Sequence, residues 1–218
     1  MKLPENYIVE RRNVKHTRLI ITEDCKVLLY VPLSTEDKDI ELILSKRQLW
    51  IEKKLSFFRN RKKIELARNE ILLFGKPFTY IYDSKCRGKV QINFDSKVIT
   101  TKKQLLDKTV QERWYKAYAK EYMSNRINFL SSALNLKYNQ LFIRTQRTKW
   151  GNCTADKNIS LNWKLIKCPD YVIDYVCTHE LCHTKIMNHG VQFKTLLNSL
   201  CPNVDKAQKW LNDYGYGL

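Results

Sequence analysis

Residues 179–183 read His-Glu-Leu-Cys-His, and no other stretch of the chain gathers as much potential chemistry in so few positions. On an α-helix, side chains four apart share a face, with Cβ atoms about 5–6 Å apart. His179 and His183 can therefore each offer one imidazole nitrogen to a single zinc ion, at bond lengths of about 2.0–2.1 Å. Glu180 leaves the helix about 100° around from His179. It neighbours such an ion without ligating it, where a carboxylate can take a proton from a water that the metal activates. The chain holds four histidines in 218 residues. At that frequency an HExxH pattern arises by chance about once in two hundred such sequences.

A zinc hydrolase needs three protein ligands and one open position. His189 lies six residues beyond His183, and residues 184–188 suffice to end the helix and bring the chain back. The alternative is a downstream carboxylate, but no Glu follows Glu180, and only Asp205 and Asp213 remain. His189 is thus the candidate third ligand by elimination and spacing. Cys182 is a ligand type too, but the helix turns it about 100° from His183, so it reads as core. Asp170 and Asp174 can either orient a ligand histidine or match the dipole at a helix N-terminus. His16 stands far from the cluster and reads as an ordinary strand or surface residue.

The elements that must position these groups can be traced along the chain. Pro169 sits where a helix would begin, its missing N–H being unneeded in the first turn. That helix carries Tyr171, Val172, Tyr175, Val176 and the histidine motif. Ahead of it, Gln140–Arg144 and Asn158–Ile166 read as strands, with a polar loop over Thr145–Thr154 between them. Two short helices follow, at about Val191–Leu200 and Val204–Tyr214. A long helix over about Lys102–Leu134 shows an apolar stripe with Trp114, Tyr115, Tyr118, Tyr122 and Ile127, which reads as core packing.

Residues 1–100 show strand character at Tyr7–Asn13, Arg18–Thr22 and Lys26–Val31, the last two separated by Glu23-Asp24. A helix then starts near Ser34, with Asp37 in a loose capping-box position, and is expected to run to about Arg68. Its last part is rich in Lys and Arg from Lys53 onward, interrupted by Phe57 and Phe58. Such a run is either a solvated helix face or a nucleic-acid contact. Ile71–Phe74 and Phe78–Asp83 flank the turn signal Gly75-Lys76-Pro77. Lys89–Phe94 and Lys97–Thr100 flank Asp95-Ser96 as a candidate hairpin.

Bulk properties set the outer bounds. The net charge of +17 is shared evenly, with 21 basic and 13 acidic residues in 1–100 and 18 and 9 in 101–218. A chain of this charge is drawn to polyanions. None of the seven cysteines forms a C-x-x-C pair, which argues against a cysteine zinc knuckle and for small buried hydrophobes. The first residues hold no apolar run of the kind that opens a secretory signal, and no stretch is long enough to span a bilayer. The expectation is a cytoplasmic protein with no membrane partner; oligomeric state is not legible.

The stretch Arg147–Leu200 resembles the YgjP-like family of zinc metallopeptidases, relatives of the SprT-like and WLM groups. The residues that carry the likeness are Lys149-Trp150-Gly151-Asn152-Cys153, Asn158-Ile159-Ser160-Leu161-Asn162-Trp163, Val172-Ile173-Asp174-Tyr175-Val176, and Met187-Asn188-His189 with Phe193. Earlier in the chain, Trp50-Ile51 and Leu73-Phe74-Gly75-Lys76-Pro77 also match. The family usually has Ser where Asn152 stands and Ala where Cys182 stands. The resemblance implies an α+β fold in which a small zincin-like catalytic domain (101–218), with the HExxH helix and a short mixed sheet, follows an N-terminal β-rich region with one long helix (1–100). It also implies that His179, His183 and His189 bind Zn2+ with Glu180 as base. A further implication is that the strand before the active helix, Asn158–Ile166, offers its edge to an extended substrate.

Three functions compete. The leading one is peptide-bond hydrolysis, with Arg147, Lys149, Asn152, Asn162 and Tyr175 as candidate substrate-binding residues and a nucleic-acid-associated protein as one possible substrate. The second keeps the metal but hydrolyses a nucleotide or phosphate ester gripped by Arg144, Arg147 and Lys149, although no Walker-type glycine loop supports it. The third is a non-enzymatic nucleic-acid adaptor with a structural zinc; Glu180 argues against it, since a structural site has no use for a base.

Overall fold

The computed structural model describes residues 3–22, 24–86, 88 and 90–218. Glu23 and Lys89, the latter expected to open a strand, lie outside them. The chain divides into two compact units, Met1–Lys62 and Lys63–Leu218, whereas the sequence suggested a division at residue 100. The reason is in the core: Ile71, Leu73, Phe78 and Ile99 belong to the same buried cluster as Met123, Leu161 and Ile173. Residues 63–100 are therefore part of the body that carries the histidines.

In the first unit, β1 (Tyr7–Arg12), β2 (Arg18–Ile21) and β3 (Val27–Pro32) form a sheet of order β1-β3-β2. β3 alternates apolar residues inward, and Val27, Leu29 and Val31 pack on Ile40, Leu44, Ile51 and Leu55 of α1 (Asp37–Arg59). Helix α1 is flanked by Glu36 and Asn60 as its caps, and its last residue, Arg59, lies nine residues before the expected end at Arg68. Its buried stripe continues to Phe58, but the next position on that face is Lys62, which offers nothing to bury.

In the second unit, β4 (Glu70–Leu73), β5 (Lys76–Tyr82), β6 (Gln91–Asn93) and β7 (Val98–Thr101) form a sheet of order β4-β5-β7-β6. The expected hairpin at Asp95-Ser96 is present, with the Asn93 side chain accepting from both backbone N–H groups. Helix α2 (Lys108–Ala133) begins six residues later than expected, because Asp107 caps it by accepting from Thr109 and Val110. The third sheet comprises β8 (Leu141–Arg144), β9 (Gly151–Cys153) and β10 (Ile159–Asn162), in the order β8-β10-β9. β10 is the central strand, parallel to β8 and antiparallel to β9. The edges of this sheet are therefore β8 and β9, the latter inside what the sequence presents as a loop, and neither is the strand before the active helix. That strand is also shorter than expected: Trp163–Lys167 turns into 3-10 helix, capped by the Asn162 side chain.

Helix α3 (Asp170–His183) follows, then α4 (Val191–Leu200) and α5 (Val204–Tyr214), the last two at the expected boundaries. Two features fix the start of α3. Gly75, at φ +73°, turns β4 into β5 so tightly that a Cβ there would meet the Pro169 ring at 2.5 Å. The same turn donates Phe74 N–H to Ile166 O and Gly75 N–H to Lys167 O. On the other side, α2 staples α3 through Arg126, bidentate to Asp174 at 2.5 and 2.7 Å, and through Tyr122, whose hydroxyl donates to Asp170 at 2.7 Å. Both aspartates are thus occupied by α2 and neither is left to orient a histidine. Replacing Asp174 by Ala leaves a half-buried guanidinium unpaired and is expected to cost roughly 1–3 kcal/mol, measured by thermal or denaturant unfolding.

All seven cysteines are free, and all but Cys25 are buried, as small hydrophobes would be. His16 is exposed in a bend between strands. No helix among the described residues is long and apolar enough to cross a membrane.

Candidate metal centre

α3 delivers His179 and His183 one turn apart, and the chain after His183 folds back over residues 184–190 to bring in His189. The three Nε2 atoms form a nearly equilateral triangle: 3.2 Å for His179–His183, 3.1 Å for His179–His189 and 3.1 Å for His183–His189. Three nitrogens on one tetrahedral ion with bonds of about 2.0–2.1 Å stand about 3.3 Å apart, so the residues fit a metal of that kind. Neutral imidazoles suit it as well. Burial, followed by the two neighbouring imidazoles, holds His179 down to about 4, and burial lowers His183. Both therefore stay unprotonated at neutral pH, with lone pairs available.

Surrounding groups fix the orientation of the rings. The Nδ1 of His183 lies 3.0 Å from the Ile186 carbonyl, which assigns the proton to Nδ1 and leaves Nε2 as the donor atom. Phe193 of α4 makes a floor under all three rings, stacked on His183 at 4.4 Å and edge-on to His179 and His189, both at 4.9 Å. Among the described residues, this triad is the one group of His, Cys, Asp or Glu with metal-binding geometry. Asp205 and Asp213 do not join it. Cys182 is fully buried in the core.

Glu180 is 5% exposed. Burial raises its carboxyl from the ordinary value to about 7, and the nearby Lys149 charge offsets part of that rise. The backbone of β9 passes so close that a Cβ on Gly151 would meet Glu180 Oε1 at 2.5 Å and Cγ at 2.7 Å. Gly151 is a site residue that sequence reading did not single out for this purpose; its lack of a side chain is what admits the carboxylate. Gly151→Ala is expected to push Glu180 aside and lower kcat by about 10²-fold, the usual scale of an ångström-sized misplacement. Full activity with an unchanged metal content would show that the carboxylate need not stand there.

The five candidate substrate-binding residues separate into two groups. Arg147 and Lys149 are exposed, and Lys149 Nζ lies 3.5 Å from the half-buried Asn152 Oδ1. Asn152 lies on β9 with Lys149 beside it, and Arg147 belongs to the loop that precedes the strand. Asn162 is buried and donates to the Gln146 and Lys149 carbonyls, so it clamps the 145–150 loop. Tyr175 is buried and its hydroxyl accepts from Gln208; its ring stands edge-on to His179. Arg144 is exposed and lies over the Phe142 ring.

A family model for the YgjP-like metallopeptidase domain matches residues 15–214. The chain belongs to that family. Its members' name describes a metal-dependent peptidase, a hydrolase, and the triad in this YgjP-like protein has a geometry that fits such a metal. Among solved structures, the crystal structure of the metallopeptidase zymogen of Methanocaldococcus jannaschii jannalysin is similar over 41% of this chain and 96% of its own, at 23% identity and a TM-score of 0.35. No curated protein matches.

Proposed function

We propose that this YgjP-like protein is a zinc-dependent peptidase in which His179, His183 and His189 hold the ion and Glu180 is the general base. The observation that carries the reading is the juxtaposition of three converging Nε2 atoms with a buried carboxylate on the same helix. When bound, the zinc would polarise the scissile carbonyl and make a water acidic enough to lose a proton near neutral pH. Glu180 takes that proton and passes it to the leaving amine. Its raised pKa suits both halves of the task, since a shuttle works best when its affinity for the proton lies near the working pH.

The free edge of β9 is the natural seat for an extended peptide. Its backbone groups can pair with the substrate main chain, and it passes directly over Glu180. Pairing of this kind reads backbone and not sequence, so broad specificity is expected. Lys149, exposed and close enough to influence Glu180, would meet the developing negative charge. The test is a screen of purified metal-loaded protein against unfolded polypeptides and nucleoside triphosphates. Peptide cleavage supports the proposal; turnover of nucleotides alone would favour the phosphate-ester reading instead.

A further inference from the structure

The N-terminal unit carries a groove of about 470 Å³ between the outer strand β2 and the flank of α1, lined by Thr17, Leu19, Ile43, Lys46, Arg47 and Trp50. Trp50 is 39% exposed, a large aromatic surface to leave in water. Around it α1 places Lys46 and Arg47 four and three residues before, and Lys53 and Lys54 three and four residues after. All four are neighbours of Trp50 on a helix surface. Residues 46–62 hold seven Lys or Arg and a single acid, Glu52. Glu52 is bound by Gln48 and leaves the helix about 200° around from Trp50. Among the described residues, neither Lys46 nor Arg47 has an ion-pair partner.

We propose that this groove binds single-stranded nucleic acid, with one base stacked on Trp50 and the adjoining phosphates on Lys46 and Arg47. The charge selects a polyanion. The exposed indole and the apolar floor of Leu19 and Ile43 select among polyanions, because an unpaired base has a free face to stack, whereas a duplex buries its bases and would engage only the cations. Further along the same segment, Arg61 lies over Phe58 at 3.9 Å and Phe57 at 5.2 Å. This inference does not depend on the peptidase reading, since none of its residues belongs to the metal centre.

The test is fluorescence anisotropy with the full chain and a labelled oligothymidylate of about 15 nucleotides, which covers one single-strand site. Trp50→Ala is expected to weaken binding roughly 5- to 100-fold, with Trp50→Tyr recovering most of the affinity. Replacing Lys46 and Arg47 together by Gln should flatten the salt dependence by about 1.4 in log–log slope. Melting curves check that each variant folds; if Trp50→Ala does not, the tyrosine and glutamine variants decide the matter. Undiminished affinity in Trp50→Ala, an equal loss on a matched duplex, or Trp50-dependent binding to phosphatidylserine vesicles in preference to the oligonucleotide would each overturn the proposal.

Discussion

Glu180→Gln is expected to lower kcat by about 10²–10⁴-fold while metal content and melting temperature stay at wild-type levels. The amide has the shape of the carboxylate, so it fits the same space against Gly151. It leaves the histidine triangle untouched, because Glu180 is not one of the three converging donors. It cannot accept a proton near neutral pH, so the attacking water loses its base. The pH profile gives an independent check. The base works only when ionised, so activity falls as pH drops through its pKa. Burial, partly offset by the Lys149 charge, sets that value at about 7; a cation held by the histidines favours the ionised form and moves the acid limb below this. Loss of metal from the variant would instead make Glu180 a ligand, and undiminished turnover would place the reaction elsewhere.

His189→Ala is expected to weaken metal binding by more than the 10–100-fold that follows loss of an outer-sphere partner. Hydrolysis falls in proportion at limiting metal. Two of the three ligands sit on one rigid helix, but two nitrogens cannot complete a closed face on the ion. His189 is exposed and its chain segment is short of helical structure, so its removal should leave the fold unharmed, and metal titration followed by chromatography reads the effect directly. An unchanged affinity would remove His189 from the site and send the search to Asp205.

Parts of the site were legible because their logic is local. The i, i+4 histidines declare a shared helical face, Pro169 marks the start of α3, and the periodicity of Val191–Leu200 and Val204–Tyr214 specifies their helices. What escaped depended on contacts between distant residues. Gly151-Asn152-Cys153 has no strand propensity to notice; it is a strand because β10 supplies a partner. For the same reason β10, which looked like an edge, lies in the middle of its sheet. Asn162 looked like a substrate group because it is polar beside a functional loop, yet its amide is spent on that loop's carbonyls. Asp174 could be read either as a partner for histidine or as a charge matching the helix dipole, and Arg126, 48 residues earlier, claims it. The end of α1 was misplaced because basic residues are good helix formers, and only the failure of the apolar stripe at Lys62 shows that the helix has nothing left to pack against.

The turn at Phe74-Gly75 sits against Pro169 with no room for an additional atom. Surface hairpins ordinarily absorb insertions freely as sequences diverge. This one should not, because a lengthened turn would displace Pro169, the N-cap of the helix that carries His179 and His183, ten and fourteen positions further on. Among homologous chains, length variation between β4 and β5 is therefore expected to be rare, and to be accompanied by compensating change at Pro169 where it occurs. A short hairpin with no chemistry of its own would then be as resistant to drift as the histidines.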